Sequence, residues 1–471
     1  MIDQNPEYKQ TVIIGGGTAG WLTALCVSKM RNHNSQITLI ESKNVPNVGA
    51  GEGTTPHMIF LLRFLGIDLN EFFKKTQATK KYGVEFENWS GEGQKFKHFF
   101  ERNKGNDYAY HFDSQKMVEF LKAKALDLYV NYVQDDYIGC FREKDNITRI
   151  ELKENGIINT DFVFDCSGLS RLLIGKEYKT KWNDCSKYLP IKAAIPFTVE
   201  RTQKEERKDV TFTRAVALQH GWLWMIPLQT RWGCGYCHDS DLVTEEEAKQ
   251  EVEYYLNRKI FSRFSRRTIS FGTGYYEKLY VGNCMAVGLS SGFFEPLEAT
   301  SIMMICIQLM FFVRAQGYDI DQDKFNSSML KANEQVLAFL FYHYVTKKED
   351  TELWRSFDKK PIPKLLKKLI NADGTLKKLT QSQYKKVLEV NELHDLIFHI
   401  NSWKTFSKNL IDNHPDYTHN LYSKSIWESF KGKFGFSSPP WDHIGTKRSE
   451  TPNRCDTNCA IPVASAEIHL P

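Results

Sequence analysis

The stretch from residue 10 to residue 41, QTVIIGGGTAGWLTALCVSKMRNHNSQITLIE, constrains the fold more than any other part of the chain. It reads as an apolar strand, a glycine turn, a helix and a second strand, with Gly15, Gly17 and Gly20 in the GxGxxG spacing and Glu41 closing the second strand. The glycines permit a tight turn, a close approach of the backbone to a pyrophosphate, and close packing of helix on strand. The pattern predicts a βαβ unit that holds a dinucleotide, with Glu41 on its ribose hydroxyls.

Two later segments favour FAD over NAD as that dinucleotide. Residues 160–173, TDFVFDCSGLSRLL, read as an apolar strand that breaks at Asp165, and residues 279–302, LYVGNCMAVGLSSGFFEPLEATSI, read as a strand, a glycine-rich turn at Gly288 and a helix. Both resemble the segments that close around the flavin in FAD-dependent oxygenases. No second GxGxxG follows a strand, so we expect electrons to arrive with reduced flavin from another protein. The predicted cofactor-binding residues are Gly15, Gly17, Thr18, Ala19, Gly20, Glu41, Gly49, Gly51, Asp165 and Gly288.

Composition and charge narrow the class of protein. The 471 residues carry a formal net charge of +5 without a dense basic run, which does not favour nucleic acid as a partner. The amino terminus is acidic and polar where an export signal has a basic region and an apolar run, and the apolar segment 301–313 is too short to span a bilayer. Ten cysteines lie scattered without a disulfide-like spacing. We therefore expect a cytoplasmic protein without a membrane segment or a metal site, and a buried helix at 301–313.

One cysteine motif suggests a different cofactor. CGYCH at 234–238 matches the attachment pattern of c-type haem. The surrounding QTRWGCGYCHD is typical of a strand edge, and haem attachment requires an exported chain, so we do not expect haem here.

Six segments, in order along the chain, resemble the motifs of one family. They are GGGTAGW at 15–21, NVGAGEGTTP at 47–56, ATKKYGVEFENW at 78–89, GWLWMIP at 221–227, FFEPLEATSI at 293–302 and FLFYHYVTKKEDTELW at 339–354. From about residue 10 to residue 440 the chain resembles a flavin-dependent halogenase of the tryptophan-halogenase type. The resemblance implies that reduced FAD, oxygen and a halide ion make hypohalous acid, which passes through an internal channel to an aromatic, indole-like substrate. It also implies a separate NAD(P)H-dependent flavin reductase as partner, and it leaves a homo-oligomer open.

The resemblance gives Lys81 and Glu298 the catalytic roles. Lys81 would form a haloamine, which needs a neutral amine, or would hydrogen-bond the hypohalous acid, which the ammonium also does. Burial favours the neutral form by lowering the lysine pKa. Glu298 would stabilise positive charge on the ring, orient the lysine and help remove the ring proton. For Lys81 the alternative is a solvated surface lysine, and neighbouring Lys80 is the second choice for the catalytic role. For Glu298 the alternative is a carboxylate that is only stabilised by the positive end of a helix dipole.

Halide binding is implied at the start of the last apolar helix. Thr300 and Ser301 match positions whose backbone amides hold the halide, and amides at a helix start suit an anion. Ala299 stands where many tryptophan halogenases have serine, and Ser301 where many have glycine. These departures suggest bromide or iodide as the preferred halide, as a hypothesis.

The aromatic substrate and the flavin are expected on opposite sides of an aromatic wall. FKHFFE at 96–101 resembles a stretch that flanks the indole ring, which assigns His98 and Phe100 to substrate binding; a packed loop is the alternative. In GWLWMIP, Trp222 and Trp224 share one face of a strand. The resemblance implies that they separate flavin from substrate, and the alternative is an ordinary strand core.

The predicted fold class is α/β, with an FAD-binding Rossmann-like module of the aromatic-hydroxylase type, mixed sheets and a mainly helical substrate-binding cap. The FAD-binding module would span residues 1–315 and include part of the substrate site. A helical substrate-binding module would follow at 316–445, and a C-terminal tail at 446–471 is rich in turn formers.

Two other functions compete with halogenation. A flavin-dependent aromatic monooxygenase, or hydroxylase, on the same fold predicts direct contact of the substrate with flavin, and the WxWxIP motif together with Lys81 argues against it. A non-catalytic flavoprotein has no need of Lys81, Glu298 and the tryptophan pair together.

Overall fold

A computed structural model describes residues 9–30, 35–45, 52–100, 108–202, 210–261, 268–315, 317–318, 320–346 and 348–371. The strands in this part of the chain are β1 Gln10–Ile14, β2 Gln36–Glu41, β3 Glu52–Gly53, β4 Thr79–Lys81, β5 Gly83–Glu87, β6 Lys95–Phe99, β7 Ala109–Phe112, β8 Asn131–Gln134, β9 Tyr137–Glu143, β10 Asn146–Leu152, β11 Gly156–Asn159, β12 Phe162–Asp165, β13 Trp182–Asp184, β14 Ala193–Glu200, β15 Phe212–Ala217, β16 Gly221–Pro227, β17 Arg231–His238, β18 Ile269–Ser270, β19 Gly274–Tyr276, β20 Tyr280–Val281, β21 Cys284–Ala286 and β22 Gly292–Phe293. The helices are α1 Thr18–Met30, α2 His57–Phe64, α3 Leu69–Lys75, α4 Ser114–Asp127, α5 Glu245–Leu256, α6 Thr300–Arg314, α7 Gln322–His343, α8 Glu352–Ser356 and α9 Lys364–Leu369.

The dinucleotide sheet has the order β20-β21-β12-β1-β2-β8. Strand β1 pairs in parallel with both β2 and β12, and β12 pairs in parallel with β21. The strands of this sheet come from four separate parts of the sequence, which are β1 with β2, then β8, then β12, and finally β20 with β21. The predicted α/β fold, in which the segments at 160–173 and 279–302 return to the GxGxxG unit, is therefore confirmed.

Helix capping and apolar burial explain why these segments fold where they do. Asp113 precedes α4, and its Oδ1 accepts hydrogen bonds from the Gln115 and Lys116 amides at 3.0 and 3.1 Å. Thr244 and Glu247 form a capping box at the start of α5. Strand β1 is buried from Thr11 to Ile14, as a parallel strand covered on both faces must be. Local signals in the sequence therefore set these helix starts.

A seven-stranded sheet, in the order β18-β14-β17-β16-β15-β5-β6, forms the second layer of the body. Strand β16 carries the WxWxIP motif between β15 and β17, and β5 pairs with β6 at the end that carries His98. A small sheet in the order β3-β7-β4 stands beside it and carries Lys81. The predicted strand at CGYCH is confirmed, but it is central in the sheet and not at its edge, and Cys234 and Cys237 are both completely buried.

The apolar segment 301–313 lies within α6, and the prediction of a buried helix is confirmed. By length and composition, the window Leu297–Arg314 resembles a membrane span, but 78% of it is buried inside the fold. Beyond residue 315 the described chain is mainly helical, and Phe325 and Leu340 on α7 belong to the same apolar core as Val12 on β1. The module boundaries at 315 and 445 remain predictions, and the tail at 446–471 lies outside the described residues.

Candidate active site

The glycine turn after β1 is built so closely that side chains are excluded. Gly15 has a φ of +119°, and a Cβ there would lie 2.1 Å from the Cys166 carbonyl oxygen. A Cβ on Gly20 would lie 1.8 Å from the Gly15 carbonyl oxygen. The first turn of α1 begins at once, with the Trp21 amide donating to the Gly17 carbonyl oxygen at 3.1 Å. This is the tight strand-to-helix turn that a pyrophosphate needs at a helix amino terminus.

Glu41 stands beside this turn at the carboxyl end of β2. Its Oε2 accepts a hydrogen bond from the Tyr132 hydroxyl at 2.8 Å and lies 3.8 Å from Lys122 Nζ. A Cβ on Gly16 would lie 2.3 Å from Glu41 Cδ, so the carboxyl group packs directly against the turn. The position fits the acid that holds the ribose hydroxyls of a dinucleotide.

The two returning segments meet the turn from the other side. A Cβ on Gly288 would lie 2.9 Å from the Ala19 Cβ, which places this turn against the start of α1, near Thr18. Asp165 is completely buried and accepts hydrogen bonds from four donors, the Ser167 amide and hydroxyl and the amides of residues 173 and 174. Its carboxylate therefore shapes the turn after β12, and direct contact with a cofactor remains a prediction.

The described residues of this region fit a dinucleotide: glycines line a turn that leaves no room for a Cβ, and a carboxylate ends the neighbouring strand. Gly49 and Gly51, which we predicted to contact the cofactor, lie outside the described residues.

Glu298 is held in an unusual backbone conformation just before α6. Its φ of 60° and the φ of 57° at Ala299 are both left-handed, which costs about 1 kcal/mol or more for residues with a Cβ. The kink turns the Glu298 side chain into the protein, where it is only 6% exposed. Glu298 does lie next to a helix amino terminus, as the alternative interpretation expects, but a helix-dipole role alone does not account for its left-handed backbone and its burial.

Two histidines from distant parts of the chain meet the Glu298 carboxylate. His98 Nδ1, on β6, lies 2.9 Å from Oε1, and His343 Nε2, at the end of α7, lies 3.4 Å from the same oxygen. The other ring nitrogen of His343 donates to the Phe339 carbonyl oxygen at 2.8 Å. Burial opposes ionisation of Glu298, but the electrostatic attraction and hydrogen bonding of His98 and His343 outweigh it and hold the pKa of Glu298 well below the usual range. Glu298 is therefore a carboxylate at neutral pH. Burial also lowers the pKa of His343, and because its Nδ1 proton goes to the Phe339 carbonyl oxygen, its Nε2 donates to Glu298 only when the imidazole is protonated.

Lys81 points inward while Lys80 points to solvent, because successive residues of β4 face opposite sides. Lys81 is 1% exposed, and Lys80 Nζ lies over the Tyr108 ring at 5.2 Å from its centroid. Burial lowers the pKa of Lys81 to about 8, against the opposing pull of the Glu298 carboxylate. Lys81 is therefore the buried lysine of the pair and is not a solvated surface residue, whereas its catalytic role remains a prediction.

The Lys81 ammonium contacts one of the residues that we predicted for substrate binding. Its Nζ lies 5.2 Å from the centroid of the Phe100 ring, within cation–π range. His98, two residues earlier, instead contacts Glu298. The FKHFFE stretch therefore contacts both predicted catalytic residues, since Phe100 contacts Lys81 and His98 contacts Glu298.

Thr300 and Ser301 form the first turn of α6, directly after Glu298. The first amides of a helix have no intrahelical acceptor and carry the positive end of its dipole. Thr300 is 3% exposed, so an anion there would be largely shielded from water. The geometry is compatible with the predicted halide position, which remains a prediction.

The tryptophan pair lies on one face of β16, as predicted, with ring centroids 6.2 Å apart. Trp222 is 1% exposed and its ring centroid lies 6.4 Å from that of Trp89, whereas Trp224 is half-buried over Gly235. Trp89 in turn lies 6.4 Å from the His343 ring centroid. The wall therefore extends from the strand towards the partners of Glu298.

Sequence reasoning missed three polar residues of this region. His343 was inside a quoted motif but had no role, and the only signal was its position in FLFYHY. Glu295 is completely buried, and both its oxygens accept from the Tyr344 hydroxyl, at 2.8 and 2.9 Å. Burial raises the pKa of Glu295 to about 8, although the Tyr344 hydrogen bond opposes this. His111, on β7, is the third and is completely buried beside Lys81.

Comparisons with known proteins identify the family to which the chain belongs. The model of the family described as "Tryptophan halogenase" matches residues 10–106 and 101–407. The chain is 27% identical over 440 residues to the tryptophan 6-halogenase SttH of Streptomyces toxytricini, which covers 78% of this chain and 83% of SttH. It is also 27% identical over 454 residues to the tryptophan 7-halogenase RebH of Lentzea aerocolonigenes, covering 82% and 83% of the two chains.

A solved structure is similar over nearly the whole chain. BrvH, a flavin-dependent halogenase from Brevundimonas sp. BAL3, superposes with a TM-score of 0.75 at 25% identity, over 91% of this chain and 96% of BrvH. The family match covers most of the chain, including the glycine turn, Lys81 and Glu298. This protein therefore belongs to the tryptophan halogenase family and is a flavin-dependent halogenase.

Proposed function

We propose that the protein halogenates an electron-rich, indole-like aromatic ring with Lys81 and Glu298 as its catalytic residues. The observation that carries the proposal is the pair itself: a buried lysine whose pKa is lowered to about 8, within electrostatic reach of a buried carboxylate. Perturbed groups of opposite charge in one buried site are characteristic of catalytic centres. When bound, the reduced flavin supplies the reducing equivalents with which oxygen and halide are converted to hypohalous acid.

Lys81 receives that acid. With a pKa of about 8, a measurable fraction of the side chain is a neutral amine near pH 7, and the remainder is an ammonium. The neutral amine can attack the halogen, so that the N–halogen bond of a haloamine forms while the oxygen–halogen bond breaks and the hydroxide leaves as water with a proton from the amine. The ammonium can instead donate a hydrogen bond that makes the halogen more electrophilic. Both routes hold the oxidant at Lys81 Nζ, through an N–halogen bond in the first and through a hydrogen bond to the oxygen of hypohalous acid in the second, so both depend on the same residue.

Glu298 acts on the substrate ring. As a carboxylate it stabilises the positive charge that develops on the ring during attack, and it can then accept the ring proton. The contact with His98 Nδ1 at 2.9 Å fixes the orientation of the carboxylate. We keep His98 and Phe100 as substrate-binding residues, since each lies next to one catalytic side chain.

The halide and the wall complete the site. The amides of Thr300 and Ser301 would bind halide at the start of α6, and Ala299 in place of serine supports bromide or iodide over chloride. Trp222 and Trp224 would keep an aromatic substrate away from the flavin while hypohalous acid passes beside them.

The names of the relatives support a more specific class of substrate. Several are named tryptophan halogenases, which supports tryptophan or another indole as the substrate. We further propose a separate NAD(P)H-dependent flavin reductase as the source of reduced FAD, and a cytoplasmic location.

An assay with all components tests the proposal. Reduced FAD is generated by an unrelated flavin reductase, chloride, bromide or iodide is supplied with a panel of indoles and phenols, and products are read by mass spectrometry. Halogen isotope patterns on an indole are expected, most strongly with bromide or iodide. Hydroxylated products without halogenated ones would contradict the proposal and favour the hydroxylase alternative.

A further inference from the structure

The Gly288 turn, Gly288–Ser290, stands at the edge of the dinucleotide sheet where a cofactor is expected. Strands β1, β12 and β21 run parallel, and Ile14, Asp165 and Ala286 are register partners at their carboxyl ends. The glycine turn after β1 and the Gly288 turn after β21 therefore leave the sheet at the same edge, with only β12 between them. In open α/β sheets, ligands bind outside the carboxyl ends of such strands. The Gly288 turn thus lies beside the predicted cofactor site.

Gln308 reaches this turn from α6. Its Oε1 accepts a hydrogen bond from the Gly288 amide at 2.9 Å, and its Nε2 donates to Ser291 Oγ at 2.8 Å. The Ser291 hydroxyl in turn donates to the Gly288 carbonyl oxygen at 2.6 Å, and the Ser291 amide donates to the same oxygen at 3.0 Å. The side chains of Gln308 and Ser291 therefore close a ring of hydrogen bonds that occupies both polar backbone atoms of Gly288.

The orientation of the Gln308 amide follows from its partners. A backbone N–H only donates, so the side-chain oxygen of Gln308 faces Gly288 and its nitrogen faces Ser291. Gln308 is completely buried, and Gly288 is buried as well. Breaking these bonds is unfavourable, because a buried donor or acceptor without a partner loses its hydration without compensation. The Gln308 amide therefore holds the turn in one position against α6.

The face of α6 that carries Gln308 begins at the predicted halide site. Ser301, Ile305 and Gln308 follow the spacing i, i+4 and i+7, so they lie on one face of the helix. Gln308 lies about 10 Å along the helix axis from Ser301. Glu298 lies directly before this helix, at its kinked start. One helix therefore connects the Gly288 turn with the residues that we predicted for halide binding and catalysis.

We propose that Gln308 is a positioning residue for the flavin, because it fixes the Gly288 turn onto α6 at the cofactor edge of the sheet. Since both polar backbone atoms of Gly288 are already hydrogen-bonded, the turn supports the flavin by its shape and not by a hydrogen bond from Gly288. The position of the flavin is then tied to the start of α6, where Glu298 lies. The inference rests on the predicted cofactor contact of Gly288, and it adds the side chain that holds this glycine in place.

The test uses the full chain with four substitutions. Gln308→Met removes both hydrogen-bonding atoms in nearly the same shape, and Ser291→Ala removes the hydroxyl that closes the ring. Gln308→Glu keeps an oxygen that accepts from Gly288, but only its protonated form can also donate to Ser291. Gln335→Met is the matched control, since Gln335 is a buried glutamine on α7 whose side-chain atoms have no hydrogen-bond partner in the part of the chain that the structure describes.

The first measurement is the Kd for oxidised FAD, read by titration of each apoprotein without denaturant. We expect the Kd to rise about tenfold in Gln308→Met and less in Ser291→Ala, because the turn loses the bonds that hold it. Gln335→Met should keep the wild-type Kd. Gln308→Glu should bind FAD nearly as well as the wild type at about pH 5, where a buried acid is protonated, and more weakly at about pH 8. A purely structural role would lower the free energy of unfolding of the apoprotein and leave this Kd unchanged.

The second measurement is the yield of halogenated product per reduced FAD consumed, at saturating FAD. The yield should fall in Gln308→Met while KM for the aromatic substrate stays constant, because the flavin is misplaced and the ring is not. An unchanged Kd for FAD in both Gln308→Met and Ser291→Ala would overturn the proposal, and so would an equal rise in Gln335→Met. If the proposed roles of Lys81 and Glu298 were wrong, the differences in Kd for FAD would remain, so the two proposals fail separately.

Discussion

Glu298 Oε1 lies 2.9 Å from His98 Nδ1, although the two residues are 200 positions apart in the chain. Together with His343, this contact keeps a buried carboxylate ionised that burial alone would protonate. The charge is thus maintained at a site from which water is largely excluded, where it acts more strongly on a neighbouring cation than it would at the surface. Glu298 can therefore serve both Lys81 and a substrate ring.

Replacing Glu298 by glutamine tests the need for that charge. The variant keeps the shape and loses the negative charge, so we expect kcat to fall by about two to three orders of magnitude. The measurement is the rate of halogenated product at saturating substrate. The free energy of unfolding supplies a second readout. Because the pKa of Glu298 is lowered in the folded state, its ionised carboxylate stabilises the fold at pH values above the ordinary carboxyl pKa. This stabilisation is lost as pH falls through the folded-state pKa. The wild type should be more stable than the variant at pH 7, and the difference should shrink on acidification below about pH 4.

Glu295→Gln is the matched control for Glu298→Gln, since it makes the same change three residues earlier in the same buried segment. The pKa of Glu295 is raised to about 8, so the side chain is mostly protonated at pH 7 and the glutamine is nearly isoelectronic with it. We expect little change in kcat at that pH.

The difference in stability between the wild type and Glu295→Gln should change with pH in the opposite direction to the difference between the wild type and Glu298→Gln. A raised folded-state pKa means that wild-type stability is fully present below about pH 4.5 and is lost progressively as pH rises through about 8. Denaturant unfolding at pH 5 and pH 9 should therefore show the wild type weakening relative to Glu295→Gln at the higher pH. A constant difference between the two proteins would mean that Glu295 is not buried as a neutral acid.

The buried Lys81 side chain should destabilise the folded protein. Its pKa falls from 10.5 in the unfolded chain to about 8 in the fold, which corresponds to about 3 kcal/mol of destabilisation when the side chain is charged in both states. Lys81→Met should therefore raise the free energy of unfolding at pH 7, and the gain should disappear as pH rises from about 8 to about 10.5. Lys80→Met, which makes the same change at the exposed neighbour, is the matched control. A Lys81→Met variant less stable than the wild type at pH 7 would mean that the ammonium is better solvated than its burial indicates.

The tryptophan wall makes a separate prediction. Trp222 is 1% exposed and packs beside Trp89, so Trp222→Ala should cost about 3 to 5 kcal/mol of stability. If the wall also separates flavin from substrate, the yield of halogenated product per reduced flavin consumed should fall, while Trp222→Phe should preserve most of both properties. A Trp222→Ala variant that is destabilised but has an unchanged yield would mean that Trp222 only packs in the core and does not separate flavin from substrate.

How far the sequence predicts this molecule depends on how local each signal is. The GxGxxG turn, the strand of Trp222 and Trp224 and the buried helix from Thr300 follow from residues that are close in the chain, and these were predicted. The histidine partners of Glu298 were not, because they lie 200 and 45 positions away and a lone histidine has no pattern that reveals its partner. The left-handed backbone at Glu298 also has no local signal, since such strain is imposed by the surrounding structure.

The choice between Lys80 and Lys81 shows where a resemblance needs a structure. Both lysines fit the quoted motif, and a shift of one residue on a strand moves a side chain to the opposite face. The pairing of Lys81 with Ala109 and of Lys80 with Tyr110 on β7 sets which one is buried. That register depends on a strand that lies some thirty positions away in the sequence.

The central claim is that halogen reaches the substrate through Lys81, and one comparison tests it most directly. Wild type, Lys81→Ala and Lys80→Ala are supplied with the same reduced FAD, halide and indole, and halogenated product is counted by mass spectrometry alongside flavin binding and folding. The account predicts product from the wild type and from Lys80→Ala, and none above background from Lys81→Ala, with flavin bound equally by all three proteins. Undiminished product from Lys81→Ala would contradict it.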